Sequence, residues 1–412
     1  MAILDEKDVC VRYRYKVSEL YILFKDKEHK LPSERLTQII ITNDYLDNLF
    51  PIVQCKFSLE SSIYYKMISE KDTVRIKIRI QKYYTKEGKT KKSLYSDYIN
   101  TTFSLILDDS DEDTEEELRK LEYPKGDENE LNAMANDIEL YLFKAALIKA
   151  TKRTINNIHK NVTVSDEIAD IATQLSLKNT LLMSKADNIT EYDEIVIPPL
   201  KAALALAYLD SFYGIHKTGS IVYFGLDHEY IIKYEGKCSA YKDGENTTTS
   251  IIIPKGGSTI SNTVSSVLKN DDKKKYYLIA DYKSLSITNQ SISDSVLNGT
   301  EVQIIDSISG EITNSSTDNS VNKTTIKNNG KNKYYKNIFK TQSSSNDVVL
   351  SVGLGDIDLE SLTPNKKFVF LFEDTKLAKK YKGTYILCKT EIGLIRDGAD
   401  MRTTVQAVFR KA

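Results

Sequence analysis

The sequence predicts an α+β protein that is mainly β, with two antiparallel β-barrel domains, a helical insertion and a polar β insertion. Strand-forming residues are abundant, with 26 Tyr and only 7 Pro in 412 residues. Several segments alternate apolar and polar residues with the period of a β-strand, and two segments between them break this pattern. The length exceeds that of a usual single domain, so we expect more than one core.

Residues 1–107 are predicted to form the first barrel domain. Its clearest strand is TVRIKIRIQKYY, in which apolar side chains alternate with Arg75, Lys77 and Arg79. This gives the strand one apolar face and one cationic face. The loop GKTKKS that follows lacks the first glycine of a phosphate-binding loop, and we interpret it as the tip of a β-hairpin.

The cationic face of Arg75, Lys77 and Arg79 is the candidate functional surface. One interpretation is the solvated side of a sheet. The other is a surface that lines a lumen or contacts an acidic partner, and the sequence does not separate the two. A lumen that passes nucleic acid would be hindered by strong phosphate binding.

Residues 108–190 are predicted to be an acidic linker followed by a helical domain. The segment DDSDEDTEEELRK suits an exposed linker that enters a helix N-terminus. A first helix is predicted from apolar residues spaced three and four apart: Leu131, Met134, Ile138, Leu142 and Ala145. A second helix is predicted over DEIADIATQLSLKNTLLM, with Ser165 as its N-cap.

Residues 191–255 together with 346–412 are predicted to form the second barrel domain. A helix should begin at Pro199, end at Gly214 and bury Leu200, Leu204, Ala207 and Leu209. The segments SIVYFGL, EYIIKYEG, KCSAY and TTSIIIPK indicate an antiparallel meander. Near the end of the sequence, KKFVFLFED, GTYILCKTEIGLIRDG and TTVQAVFRK are predicted strands, with a short helix at TKLAKKY.

Residues 256–345 are predicted to be an inserted β module rich in Ser, Asn and Thr. Strand character remains in YYLIADY and EVQIID, so we do not expect the whole module to be disordered. The predicted order is therefore a first barrel, a helical domain and a second barrel, and the β module is inserted within the second barrel.

Charge and motif content exclude several function classes. The 57 basic and 58 acidic residues nearly balance, which disfavours a dedicated DNA-binding protein. The four cysteines form no CxxC pair, so neither a zinc site nor a disulfide framework is predicted. Neither a signal peptide nor a run of 18 apolar residues is present, so neither export nor a membrane span is expected. Nucleophile-elbow and HExxH motifs are also missing, and we predict neither an enzyme nor a cofactor.

Two further clusters are candidate binding sites. His216 with Asp227, His228 and Glu229 offers metal-ligand chemistry, but without a ligand motif these residues are predicted to lie in turns or at the surface. Paired tyrosines offer stacking surfaces for sugars. The tyrosine candidates are Tyr65, Tyr83, Tyr84, Tyr276 and Tyr277.

Three segments resemble the baseplate hub proteins of contractile bacteriophage tails. They are LTPNKKFVFLFEDTKLAKKYKGTYILCKTEIGLIRDGADMRTTVQAVFRK, PPLKAALALAYLDSFYGIHKTGSIVYFGLDHEYIIKYEGKCSAY and DYLDNLFPIVQCKFSLESSIYYKMISEKDTVRIKIRIQKYY. The resemblance implies tube-type barrels, two per chain, that alternate in a homotrimer as a pseudo-hexameric ring. Such a ring joins the hexameric tail tube to the trimeric central spike and carries no catalytic residues.

The resemblance also implies partners and a location. The partners are the tail tube protein, the central spike protein, baseplate wedge proteins and the tape measure protein, with DNA only as passing cargo and no membrane span. The location is the baseplate of the virion, assembled in the host cytoplasm. Two alternatives stay open, namely a receptor- or carbohydrate-binding tail protein and a cell-wall hydrolase.

Overall fold

A computed structural model describes residues 9–86, 95–106, 134–177, 179–234, 248–255, 266–268, 276–289, 300–307, 310–315, 322–328, 330–335 and 348–412. The predicted acidic linker DDSDEDTEEELRK, the loop GKTKKS and the strand KCSAY lie outside these residues. Among the described helices, none has the length and apolarity needed to cross a bilayer.

Most described strands belong to one large sheet of 15 strands. Its first members in chain order are β1 (Val9–Leu23), β2 (Glu28–Lys30), β3 (Leu36–Asp44), β4 (Ile52–Glu60), β5 (Arg75–Lys86), β6 (Ser96–Ile106) and β7 (Met134–Lys144). The later members are β13 (Thr248–Ile253), β14 (Ser266–Leu268), β15 (Tyr276–Ile279), β16 (Asp281–Asn289), β20 (Val348–Gly355), β21 (Lys367–Phe372), β22 (Thr384–Asp397) and β23 (Asp400–Lys411).

The large sheet closes on itself. The order β14-β15-β13-β21-β22-β3-β4-β7-β6-β5-β1 returns to β14, because β1 also pairs with that strand, and this gives a closed barrel of 11 strands. A shorter circuit runs from β22 through β3, β4, β7, β6, β5 and β1 to β23, which pairs back with β22. Closure removes the free edges of the strands in these circuits, whereas β16 has one strand neighbour, β20, among the described strands.

The mainly β fold class is therefore confirmed, and strands of both predicted barrels share this sheet. The contacts that join them are β22 with β3, at Ile392 and Ile41, and β1 with β23, at Tyr15 and Met401. One hydrophobic core runs through strands from both halves of the chain. The domain boundaries given above stay a prediction.

Three smaller sheets complete the strands that the structure describes. The first pairs β8 (Thr154–Val162) with β10 (Tyr192–Lys201). The second joins β9 (Leu181–Met183), β11 (Ser220–Phe224) and β12 (Glu229–Lys233). The third lies in the predicted polar insertion and joins β17 (Thr300–Asp306), β18 (Ile312–Ser315) and β19 (Asn322–Asn328).

The described residues include five short helices, of which three surround a second core and two pack against the main core. They are α1 (Ser61–Ser69), α2 (Ile148–Lys152), α3 (Val164–Gln174), α4 (Ala202–Phe212) and α5 (Thr375–Lys380). In the described part of the chain, 3₁₀ turns occur at Ser33–Arg35, Ala145–Leu147 and Leu359–Ser361. The second core packs α2, α3 and α4 against β8, β10, β11 and β12. It thus combines the predicted helical domain with the first part of the predicted second barrel.

The strand predicted at TVRIKIRIQKYY is confirmed as β5, and the residue before it, Val74, is buried. The apolar side chains Ile76, Ile78 and Ile80 are also buried, as the period of two requires. The helix α1 was not predicted. It follows directly on β4 and buries Ile63 and Met67 against the main core.

The helix predicted from Leu131 to Ala145 is wrong, since the described part of this segment forms β7. Leu131 lies outside the described residues. Among the described side chains of β7, Leu140 and Leu142, two residues apart, are buried, and the strand pairs with β4 and β6 on either side. The segment ELYLFK is apolar enough to satisfy either period, and the two available strand edges favour the extended form.

The helices predicted over DEIADIATQLSLKNTLLM and from Pro199 are correct in existence and wrong at their starts. Thr163, not Ser165, caps α3, because its hydroxyl accepts from the backbone N–H of Asp166 while that carboxylate accepts from the N–H of Thr163. This helix ends at Gln174, and the remainder of the predicted segment includes the strand β9.

The helix predicted to begin at Pro199 begins instead at Ala202. Both prolines lie in β10, where the pairing with β8 shifts register between Ile197 and Leu200, so their missing N–H groups interrupt no regular ladder. The buried face of α4 includes Ala205, Leu206 and Leu209, whereas Leu204 is exposed. Gly214, with φ of 76°, follows the end of the helix as predicted.

The predicted antiparallel meander is only partly correct. Strands β11 and β12 form an antiparallel hairpin, but β13 pairs in parallel with both β15 and β21. Parallel partners are joined by long connections, so local patterns do not identify them. The predicted strands and the short helix at residues 367–411 are confirmed as β21, α5, β22 and β23.

Candidate functional site

The predicted cationic face lies on β5, between β1 and β6, and it carries carboxylates as well. Lys77 Nζ lies 2.8 Å from Glu19 Oε2, and Arg79 Nη1 lies 2.8 Å from Glu19 Oε1. Arg79 Nε also lies 2.9 Å from Asp97 Oδ1. The site is therefore an ion-pair network across three strands rather than a bare positive surface.

Local irregularities in the ladders position the two carboxylates. The pairing of β1 with β5 shifts register between Val17 and Glu19, which places Glu19 directly opposite Arg79. The pairing of β5 with β6 shifts near Gln81, which Asp97 faces. Such bulges re-aim side chains that simple alternation would direct elsewhere.

The network shifts the pKa of each of its members. Hydrogen bonding from Lys77, and then from Arg79, lowers the pKa of Glu19 below its usual range. Hydrogen bonding from Arg79 likewise lowers the pKa of Asp97, and the bond to Glu19 raises the pKa of Lys77. All these groups are ionised near neutral pH, so the local charge of this surface is close to balanced.

Arg75 is placed differently from the other two predicted residues. Its Nη1 donates to the backbone oxygens of Asp72 and Val74, at 3.1 and 2.8 Å. Beside it lies a groove of about 350 Å³. The groove combines basic and apolar side chains, which include Lys71, Arg75, Lys152, Ile106, Phe143 and Ile148.

A second charged cluster on the same strand was missed by sequence reasoning. Lys82 Nζ lies 2.8 Å from Asp358 Oδ1 and 2.5 Å from Glu360 Oε2, and its side chain is largely buried. Lys82 continues the inward-facing positions of β5, where alternation predicts an apolar residue. A lysine at such a position was the available signal for a buried ion pair.

The four residues considered as metal ligands have separate partners. His216 is fully buried, with Nδ1 2.8 Å from Ser220 Oγ, and burial lowers its pKa to about 4. His228 Nδ1 lies 3.2 Å from the backbone oxygen of Thr180, while Glu229 is buried against Lys144. The prediction of turn or surface positions is therefore wrong for Glu229, which is buried in a strand, whereas His216 is buried but lies in a turn in which its backbone oxygen accepts from the N–H of Gly219.

The candidate tyrosines lie on different elements and faces. Tyr65 belongs to α1, whereas Tyr83 and Tyr84 point to opposite faces of β5. The hydroxyl of Tyr83 donates to Asp400 Oδ2 at 2.6 Å. Tyr277 belongs to β15, and the side chain of Tyr276 lies outside the described part of the chain. This arrangement does not favour a sugar-stacking site.

Substitution Glu19→Gln is expected to lower the urea midpoint at pH 7, and this effect should diminish as the pH is lowered. Because the folded-state pKa of Glu19 is lowered, its stabilising contribution is present above the unfolded pKa and is lost as the pH falls through the folded pKa. Urea unfolding monitored by circular dichroism between pH 7 and pH 3 measures this. Glu391→Gln, an exposed carboxyl on β22, is the control. A Glu19→Gln effect independent of pH would contradict the ion-pair explanation.

Comparison with known proteins identifies the family of this chain. The family described as bacteriophage PBS1 gene 109 protein matches residues 7–410. The chain belongs to this family. No curated protein matches the sequence. The resemblance to bacteriophage tail proteins predicted from the sequence is confirmed by this family membership together with the fold.

Solved structures resemble this gene 109 family member at the level of the fold. The tail protein from Neisseria meningitidis MC58 has a TM-score of 0.50 at 10% identity, and the match covers 98% of this chain and 97% of that protein. The 43 kDa tail protein of prophage MuSo2 from Shewanella oneidensis has a TM-score of 0.46 at 10% identity, with 94% and 96% covered. The first of these shows a shared fold along nearly the whole chain.

Proposed function

We propose that this protein is a structural component of a bacteriophage tail and acts as the baseplate hub. Three copies form a pseudo-hexameric ring that joins the tail tube to the central spike and contacts baseplate wedge proteins and the tape measure protein. The ring belongs to the virion, is assembled in the host cytoplasm and lets DNA pass. Its role is structural and not enzymatic.

The observation that carries this proposal is the joint evidence of family and fold. The chain belongs to a bacteriophage protein family over residues 7–410, and its fold is that of a bacterial tail protein over nearly the full length of both. Full-length coverage matters because a shared barrel alone would support only a common module. The closed sheet also fits a ring wall, in which exposed strand edges would be a hazard.

The charge balance on β5 supports a channel or partner surface that does not bind DNA tightly. Glu19 forms ion pairs with Lys77 and Arg79, and Asp97 forms one with Arg79. Without these carboxylates, the ammonium and guanidinium groups would attract phosphates. Paired cations release fewer counterions on contact with DNA than free ones, so binding is weaker. A surface of this kind suits DNA as passing cargo.

An exposed apolar stripe on the large sheet supports subunit contact. Ile106 on β6 lies opposite Tyr141 on β7, and Tyr141 lies diagonal to Ile52 on β4. These side chains are 43%, 43% and 52% exposed. Contiguous exposed apolar side chains on neighbouring strands are typical of protein interfaces. We assign this stripe to the contact between two copies of the chain.

We expect the purified protein to assemble as a trimer, which for a chain of 46.8 kDa has a mass of about 140 kDa. Tyr141→Lys should shift the population to monomers, because a buried lysine would lose its hydration without a partner. Mass photometry measures the populations, and electron microscopy of the trimer should show a central channel. Leu204→Lys, at an exposed position of α4, should leave the trimer intact.

Several outcomes separate the proposal from its alternatives. Monomers alone, both for the purified chain and after co-expression with the tube and spike proteins of the same phage, would contradict the ring. Binding on a glycan array would favour a carbohydrate-binding tail protein. A cleared band in peptidoglycan zymography would favour a cell-wall hydrolase.

A further inference from the structure

A cluster of potential metal ligands lies in the second core, away from the large sheet. It consists of His159 on β8 with Glu167 and Asp170 on α3, and one ligand atom from each lies within 4.8 Å of the others. His159 Nδ1 lies 2.6 Å from Glu167 Oε2. The two carboxylates are three residues apart, so they project from the same face of the helix.

The strand and the helix hold this cluster in a defined geometry. Asn157 and His159 are two residues apart on β8 and therefore point to the same face. Asn157 Nδ2 donates to Glu167 Oε1 at 2.9 Å and to Asp170 Oδ2 at 3.1 Å. Gln174 donates to Asp170 Oδ2 as well, at 2.6 Å. Each carboxylate is thus oriented through one of its oxygens by neutral amides.

The charge in this cluster is not balanced by basic side chains. The side chain of Glu167 is only 1% exposed, and Asp170 lies beside it. Among the described residues, no Lys or Arg forms an ion pair with either carboxylate, and the imidazole of His159 is the one partner of that type. Burying a carboxylate is costly unless a cation compensates its charge. Two carboxylates with one imidazole leave a place for a cation that the protein itself does not supply.

We propose that His159, Glu167 and Asp170 bind one divalent first-row transition cation, with Zn²⁺ as the probe. Imidazole and carboxylate ligands suit zinc, manganese and iron, and three protein ligands leave a further position for water. The side chain of His159 is 43% exposed, which provides a path for the ion from solvent.

The adjustment needed for binding is small. Ligands about 2.1 Å from a tetrahedral ion stand about 3.4 Å from each other. His159 Nδ1 must therefore move outward from Glu167 by roughly 0.8 Å, which its exposed position permits. Asn157 acts as a positioning residue, because it donates to both carboxylates and holds Glu167 through the oxygen that does not contact His159.

The structural consequence concerns the β8–β10 ribbon. This ribbon has two strands only, and a two-stranded ribbon is marginally stable alone. A cation held by β8 and α3 would join the ribbon to the helix. The site is independent of the hub proposal, since it uses none of the residues on β5.

The test uses the full-length protein after dialysis against EDTA and then against metal-free buffer at pH 7.5. Titration calorimetry with ZnCl₂ should give about one equivalent per chain, and Zn²⁺ should raise the melting temperature. His159→Gln and Asp170→Asn should each weaken binding at least about tenfold, and Asn157→Ala about 10- to 100-fold. His228→Gln and Glu194→Gln, a histidine and an exposed carboxyl outside the cluster, should bind as the wild type does.

Two results would overturn the site. One is the absence of stoichiometric zinc in the wild type, with no change of melting temperature. The other is equal zinc binding by the wild type and the Asp170→Asn and His159→Gln variants, whose far-UV circular dichroism shows that they are folded. If His159→Gln lowers the melting temperature while zinc affects neither protein, the pair is a simple ion pair and the proposal is wrong.

Discussion

Substitution Lys144→Met is expected to destabilise the protein by about 3–5 kcal/mol, because it leaves the carboxylate of Glu229 buried without its cation. Lys144 lies on β7 in the main core and Glu229 on β12, and their side chains are almost completely buried. Lys144 Nζ lies 3.3 Å from Glu229 Oε1 and 3.2 Å from the backbone oxygen of Gly225. Among the described residues Glu229 Oε2 has no hydrogen-bond partner, so the loss of Lys144 removes most of the compensation of its charge.

Guanidinium unfolding monitored by circular dichroism measures the effect of Lys144→Met. The same curve should show whether the two cores unfold together or in two separate transitions. The double variant Lys144→Met/Glu229→Met should recover most of the lost stability, since an apolar pair replaces a buried ion pair at little cost. Lys149→Met on the exposed side of α2 should change stability by no more than about 0.5 kcal/mol. A double variant as unstable as Lys144→Met would contradict the charge argument.

Substitution Phe409→Ala is the second large effect, with an expected loss of about 3–5 kcal/mol. Phe409 on β23 is fully buried, and its ring centroid lies 4.8 Å from that of Phe368 and 5.1 Å from that of Phe370. It stands in the ladder between Leu350 on β20 and Leu387 on β22. Removal of the ring leaves a cavity that rigid strands on both sides cannot fill.

Urea unfolding compares Phe409→Ala with two controls. Phe409→Leu keeps most of the apolar volume and should cost clearly less. Gln406→Ala, on the exposed face of the same strand, should be close to neutral. If Phe409→Ala and Phe409→Leu destabilise equally, lost volume is not the cause.

Local periodicity predicts those parts of the fold in which one face of a strand is buried and the other is solvated. Strand β5 is the best example, because its buried isoleucines alternate with charged residues. Strand β7 escaped prediction for the opposite reason, since its apolar residues also match a helical spacing. What decides the outcome there is the presence of β4 and β6 on both sides, which are contacts distant in sequence.

The candidate site, too, could be predicted only in part from local periodicity. The alternation of Arg75, Lys77 and Arg79 is visible in the sequence, so the surface could be located. Glu19 could not be assigned to it, because the residue lies 60 positions from Arg79 and reaches it through a register shift in β1. The parallel pairing of β13 with β21 is hidden for a similar reason, as nothing local marks two strands that are joined by a long connection.

The closure of the large sheet has a consequence for the order of events during synthesis. Ile41 on β3 pairs with Ile392 on β22, which leaves the ribosome roughly 350 residues later. At translation speeds of about 5–20 residues per second, the early strands remain without their final neighbours for tens of seconds. During this interval their apolar faces can be captured by other nascent chains, so the yield of native protein should depend on chaperones and on the rate of expression. Closure of the sheet by residues that are translated last protects the strand edges in the finished particle. The same order of synthesis leaves the apolar faces of the early strands exposed in the growing chain.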